Sequence, residues 1–161
     1  MTEYSINPGD PAPTQIELDT WPEGRLKLAD LAGQWIILYF YPKDSTPGCT
    51  TESCEFRDAR PDFSAAGASI VGVSRDSVRS HGNFTEKQAL NFTLISDPDE
   101  TLCKAFDVMQ LKKNYGKEYM GVERSTFIIN PEGDIAAAWR KVSVKGHVEE
   151  VLNTLKELQS S

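Results

Sequence analysis

Apolar and polar positions along the chain predict a mixed β-sheet with helices on both faces. The longest apolar run is Trp35-Ile36-Ile37-Leu38-Tyr39-Phe40-Tyr41. A continuous run rich in β-branched and aromatic residues fits a strand buried on both faces, as in a parallel sheet covered by helices. Ser69-Ile70-Val71-Gly72-Val73 is a second such run, and the stretch 50–66 between them is polar and helix-compatible. Strand, helix, strand is the βαβ pattern. Ahead of it, Ile16/Leu18 and Leu26/Leu28 alternate around Trp21-Pro22-Glu23-Gly24, which predicts a small N-terminal β-hairpin. A proline-rich lead-in over residues 7–13 reads as extended.

Downstream, a helix is predicted over 78–90, capped by Asp76 or Ser77, although Gly82 weakens it. A short strand over 92–95 and a short helix over 99–106 follow. Strands over 125–129 and 135–139 flank the turn Pro131-Glu132-Gly133-Asp134. Val148, Val151, Leu152, Leu155 and Leu158 recur at helical spacing and predict an amphipathic terminal helix. With 161 residues and no repeat or composition break, the chain is expected to form one domain over 1–161.

Charge narrows the function. The net charge of −7 repels phosphate backbones, so no nucleic-acid partner is expected. No apolar run approaches the ~20 residues of a membrane span. Met1-Thr2-Glu3-Tyr4-Ser5 lacks the basic start of a signal peptide, and a cytoplasmic location is expected. No metal-ligand spacing and no Gly-rich phosphate loop are present, so neither a metal nor another cofactor is implied. The three cysteines, Cys49, Cys54 and Cys103, are too few for a stapled scaffold and contain no Cys-x-x-Cys pair.

The chemistry concentrates in residues 41–54, directly after the central strand, where open α/β sheets carry their sites. Thr46-Pro47 reads as a helix start, with threonine at the N-cap and proline at the first helical position. Cys49 is then the third helical residue. Unpaired amides and the positive end of the helix dipole face its sulfur and favour thiolate over thiol. Cys54 lies five residues on. In an intact helix the two Cα atoms would be ~8.7 Å apart, beyond the ~7 Å limit for a disulfide. A Cys49–Cys54 bond therefore requires the first turns to unwind. Cys103 reads as a structural thiol, and His81 and His147 as surface or packing residues.

Pro42, Thr46 and Cys49 meet the pattern Pro-x-x-x-Thr-x-x-Cys, and the chain resembles the peroxiredoxin family. Pro47-Gly48-Cys49-Thr50 and Cys54-Glu55-Phe56-Arg57-Asp58 are similar to the subgroup called bacterioferritin comigratory protein or peroxiredoxin Q. The likeness continues through Leu94-Ile95-Ser96-Asp97, Arg124-Ser125-Thr126-Phe127-Ile128-Ile129 and Lys145-Gly146-His147-Val148. It implies a thioredoxin-like fold. It also implies Cys49 as peroxidatic cysteine, Cys54 as resolving cysteine, Thr46 as peroxide-binding hydroxyl, Arg124 as active-site arginine and Pro42 as shield. Asp107 and Met109 depart from the glycine and aromatic common at those positions, which bears on fine detail of the substrate pocket.

The implied activity is a thiol-dependent peroxidase acting on hydrogen peroxide and organic hydroperoxides. Thr46 would accept a bond from the peroxide and donate one to the thiolate. Cys54 would condense with the Cys49 sulfenic acid, and thioredoxin or a related dithiol would reopen the disulfide. The subgroup implies a monomer with weak dimers allowed. The alternative is a non-catalytic peroxide sensor using the same thiol.

Overall fold

Strands that the pattern marks as buried on both faces occupy the middle of the sheet. The structure is a computed structural model and describes residues 4–160. Met1, Thr2 and Glu3, read above for a leader, lie outside the described residues. β1 (Leu18–Trp21) and β2 (Gly24–Leu26) form the expected hairpin. β3 (Trp35–Phe40), β4 (Ala68–Ser74) and β5 (Thr93–Ser96) run parallel. β8 (Ser125–Ile129) and β9 (Ile135–Trp139) continue the sheet antiparallel. The order is β2-β1-β5-β4-β3-β8-β9.

Side chains alternate across the sheet and build two cores. Ile37, Tyr39, Tyr41, Ile70, Leu94 and Ile128 point to one face. That face is covered by α1 (Pro47–Ala65), α2 (Val78–Gln88) and α4 (His147–Ser160) through Phe56, Phe63, Phe84, Val151 and Leu155. Ile36, Leu38, Phe40, Val73 and Phe127 point to the other. There the cover is α3 (Thr101–Ala105), a 3-10 turn at Leu28–Leu31 and the extended lead-in.

Gly82 has a packing reason within α2: a Cβ there would stand 3.2 Å from the Trp21 indole. Ser77 is the cap, accepting from the Ser80 amide, and the helix ends at Gln88 because Ala89 turns left-handed with φ 52°. The sequence did not reveal β6 (Met109–Asn114) and β7 (Lys117–Val122), a separate hairpin. Its strands are largely polar and solvated, so burial left no alternation to read. Tyr115 and Gly116 both have positive φ, the geometry of a two-residue hairpin turn. Asp107 also has positive φ, at 55°, which accounts for the glycine common at that position.

Gly72 of β4 lies opposite Tyr39 of β3. A Cβ at Gly72 would stand 2.8 Å from both the Tyr39 ring and Leu94. The Tyr39 hydroxyl shares a hydrogen bond of 2.8 Å with Ser53 of α1, so room at Gly72 fixes the seat of that helix. Gly72→Ala is expected to destabilise the fold by ~1–3 kcal/mol through overpacking, measured by urea unfolding. A change within ~0.5 kcal/mol would contradict this packing role.

Candidate active site

The site assembles where β3 ends, α1 begins and β8 begins. After β3, the Tyr41 amide makes a last ladder bond to the Val73 carbonyl, and the chain leaves the sheet at Pro42, which is half-buried. Ser45 turns the loop in the left-handed region with φ 64°. Thr46 then occupies the N-cap and Pro47 the first helical position, as the sequence predicts. The Thr50 amide bonds the Thr46 carbonyl at 2.8 Å, so the amides of Gly48 and Cys49 stay at the open end of the helix.

One detail of the expected geometry is corrected. The Thr46 hydroxyl donates to the Lys43 carbonyl at 2.8 Å rather than to the Cys49 sulfur, and it accepts no capping bond from the helix amides. Its single proton is committed to the loop, and its lone pairs stay open as acceptors.

Cys49 is buried, with 1% of its surface exposed. Arg124, the last residue of the two-residue turn that leads from β7 into β8, donates from Nη2 to its sulfur at 3.2 Å. The other guanidinium nitrogen, Nη1, donates to Glu52 Oε1 at 2.6 Å. Gly48 makes room for this approach: a Cβ there would lie 3.2 Å from Nη2. Burial opposes the charge on Arg124, but Glu52 and Cys49 together hold it firmly protonated. Lys112 of β6 lies within electrostatic reach of Arg124, Arg75 and Cys49, and burial followed by those two arginines lowers its pKa.

Glu52 is fully buried, and its Oε2 has no hydrogen-bond partner among the described residues. Burial pushes its carboxyl up to about 7, against the opposing pull of Arg124. The direction follows from the geometry, since the arginine satisfies only one of the two oxygens.

A second buried cluster braces the loop from behind. Asp44 accepts from the Tyr41 hydroxyl at 2.6 Å and the Ser80 hydroxyl at 2.8 Å, and its Oδ2 lies 2.7 Å from His81 Nδ1. His81 Nε2 donates to the Ile95 carbonyl at 2.9 Å. His81 and His147 are therefore packing residues rather than surface ones. His147 Nε2 pairs with the Thr126 hydroxyl at 2.7 Å, and burial lowers its pKa to about 4. Cys103 is fully buried, and burial followed by Asp97 raises its thiol well above the usual range.

Among the predicted residues, Thr46, Cys49 and Arg124 come together, with Pro42 at the start of the same loop. Cys54 does not join them. It faces the end of α2, with its sulfur 3.5 Å from Gln88 Oε1 and 3.6 Å from Arg57 Nη1. All three cysteines are free thiols. Sequence reading missed Glu52, which lies three residues after Cys49 and so on the same helix face, a spacing that could have revealed it. It also missed Asp44, whose position inside the loop was the available signal.

The Glu52 carboxyl has a folded-state pKa above its ordinary 4.5, so the folded state holds the proton more tightly. Its contribution to stability is present below about pH 4.5 and is lost as pH rises to about 7. Unfolding of the reduced protein across this range is expected to show that decline, on the order of 3 kcal/mol, in the parent relative to Glu52→Gln. Parallel curves for the two proteins would contradict it.

Known proteins share this arrangement's sequence and fold. The AhpC/TSA family pattern matches residues 8–138. Peroxiredoxin Bcp of Bacillus subtilis is 53% identical over 154 residues, covering 96% of this chain and 98% of its own. Peroxiredoxin Bcp of Xanthomonas campestris is 59% identical over 125 residues, 78% of each chain. A solved structure of Xanthomonas campestris peroxiredoxin Q superposes with a TM-score of 0.88 at 50% identity, covering 97% of this chain and 98% of that one. With its thioredoxin-like sheet and a cysteine at the mouth of α1, the chain belongs to the AhpC/TSA family, in the peroxiredoxin Q or bacterioferritin comigratory protein subgroup.

Proposed function

We propose that this peroxiredoxin reduces hydroperoxides at Cys49, and that Thr46, Arg124, Pro42 and Cys54 serve that reaction. The observation that carries the assignment is the Arg124 guanidinium 3.2 Å from the Cys49 sulfur at a helix N-terminus. A fixed cation and two open amides favour the anionic nucleophile.

The Cys49 thiolate attacks the terminal oxygen of R–O–O–H. An S–O bond forms and the O–O bond breaks. The departing alkoxide, or hydroxide from hydrogen peroxide, takes up a proton to leave as alcohol or water. Arg124 and the helix-mouth amides stabilise the charge that develops on that oxygen, as an oxyanion hole does. The lone pairs of Thr46 accept the O–H of the hydroperoxide and aim it at the sulfur. Pro42, half-buried at the start of the same loop, serves as the shield of the site. The alkyl group takes no part in bond making, which supports both hydrogen peroxide and organic hydroperoxides as substrates. A solved structure of the Xanthomonas campestris bacterioferritin comigratory protein, 49% identical with a TM-score of 0.88, concerns that protein's alkyl peroxide reduction.

Cys54 then displaces the oxygen from the Cys49 sulfenic acid, giving a disulfide and water. Its position on the far side of α1 supports a step in which the first turns unwind. Thioredoxin or a related dithiol reopens the bond by exchange. Thr46, Cys49 and Arg124 all come from one chain, which supports a monomer as the working unit. No helix of the described residues is long and apolar enough to cross a membrane. The odd set of three cysteines supports a reducing compartment, the cytoplasm.

Cys49→Ser is expected to abolish steady-state peroxide consumption with a recycling reductant. Arg124→Ala should slow the first oxidation step by ~100-fold or more, and iodoacetamide should alkylate Cys49 more slowly at neutral pH. Alkylation at the parent rate would remove the charge-stabilising role. Thr46→Val should cost ~10–100-fold in the same stopped-flow step with little loss of stability. Oxidation at the parent rate would contradict the orienting role.

A further inference from the structure

Cys54 has a cation of its own. Arg57, one helical turn on, directs Nη1 to the Cys54 sulfur at 3.6 Å and donates from the same nitrogen to the Gln88 carbonyl at 2.6 Å. The guanidinium Nε pairs with Asp58 at 2.9 Å. The Gln88 side-chain oxygen lies 3.5 Å from the Cys54 sulfur and accepts its proton. An amide can turn to present N–H instead once that proton has left. Gln88 is the last residue of α2, so the clasp joins two helices.

The backbone of Arg57 is held as well. Pro61 sits inside α1 and has no N–H to give the Arg57 carbonyl four residues earlier. Asn91, just beyond α2, donates from Nδ2 to that carbonyl at 3.3 Å. Arg57 is thus fixed to the end of α2 through both its side chain and its main chain. The turns before Cys54 are held by different contacts: Thr46 to Lys43, Glu52 to Arg124 and Ser53 to Tyr39.

We propose that Arg57 is a catalytic residue of the resolving step: its guanidinium pairs with the Cys54 sulfur as the proton leaves and anchors its turn of α1, so that unwinding stops short of Cys54 and Cys49 is brought to a fixed nucleophile. The proposal rests on the assignment of Cys54 as resolving thiol. In that step the Cys54 thiolate attacks the Cys49 sulfenic sulfur. The S–S bond forms, the S–O bond breaks, and hydroxide leaves to take up a proton as water. The sulfenic sulfur is reduced and Cys54 is oxidised. The charged groups at Cys54 are Arg57 and its partner Asp58 from α1, while α2 contributes the neutral Gln88.

Two measurements test it. In a Cys49→Ser, Cys103→Ser background, iodoacetamide alkylation of Cys54 is followed against pH. Arg57→Met is expected to displace the profile to higher pH and slow alkylation at pH 7 about tenfold, with Arg57→Lys restoring most of it. Loosening of the helix alone would speed alkylation without moving the profile. A profile that stays in place overturns the proposal, whatever the rate. In the full protein, one equivalent of peroxide is followed by stopped-flow fluorescence. Arg57→Met should slow the second, disulfide-forming phase about tenfold relative to the first and accumulate Cys49 sulfinic acid under excess peroxide, read by mass spectrometry. An unchanged second phase overturns the proposal while the resolving role of Cys54 stands. Absence of the 49–54 link in the oxidised parent overturns both, and mass spectrometry of that protein alone shows which has failed.

Discussion

One guanidinium holds the site together. Arg124 donates from one nitrogen to the Cys49 sulfur and from another to the Glu52 carboxyl, across 75 and 72 residues of chain. β8, which begins just after Arg124, pairs with β3, and α1 follows the loop that leaves the end of β3. The contact is therefore a property of the sheet, made by two segments that β3 places side by side. A charged fork that fits two acceptors at once is a task for arginine rather than lysine.

Burial gives that contact its chemical weight. In water, a cation near a sulfur would be screened; here Cys49 and Glu52 are withdrawn from solvent and Arg124 is mostly enclosed. The same burial sets a conflict at Glu52, which is asked to be a counter-ion while one of its oxygens has no partner. The first half of α1 thus carries buried carboxylate oxygens without partners, at Glu52 and again at Glu55, ahead of the aromatic packing of Phe56 and Phe63. Local differences in stability of this kind mark segments that open before the domain does.

The sequence made the parallel strands legible because burial on both faces leaves an unbroken apolar run, as at 35–41 and 69–73. The mouth of α1 was legible because threonine followed by proline has a local physical meaning. The β6–β7 hairpin was not, since solvated strands need no alternation. The contacts of Asp44 with His81, and of Arg57 with Gln88, were hidden for another reason. Each joins residues more than thirty positions apart, and no local rule relates them. The hydroxyl of Thr46 shows the limit at closest range: its position was readable, but the choice of Lys43 as acceptor depends on how the loop bends at Ser45.

Gly48 shows how narrowly such a loop is constrained. It is neither a turn residue nor a hinge, and it lies exposed at the start of a helix, where most side chains would be tolerated. Yet a single added carbon would stand 3.2 Å from Nη2, so that the arginine fork would have to give way by a few tenths of an ångström. What this surface position supplies is therefore empty space: a gap the width of one methyl group, beside the guanidinium that meets the thiol.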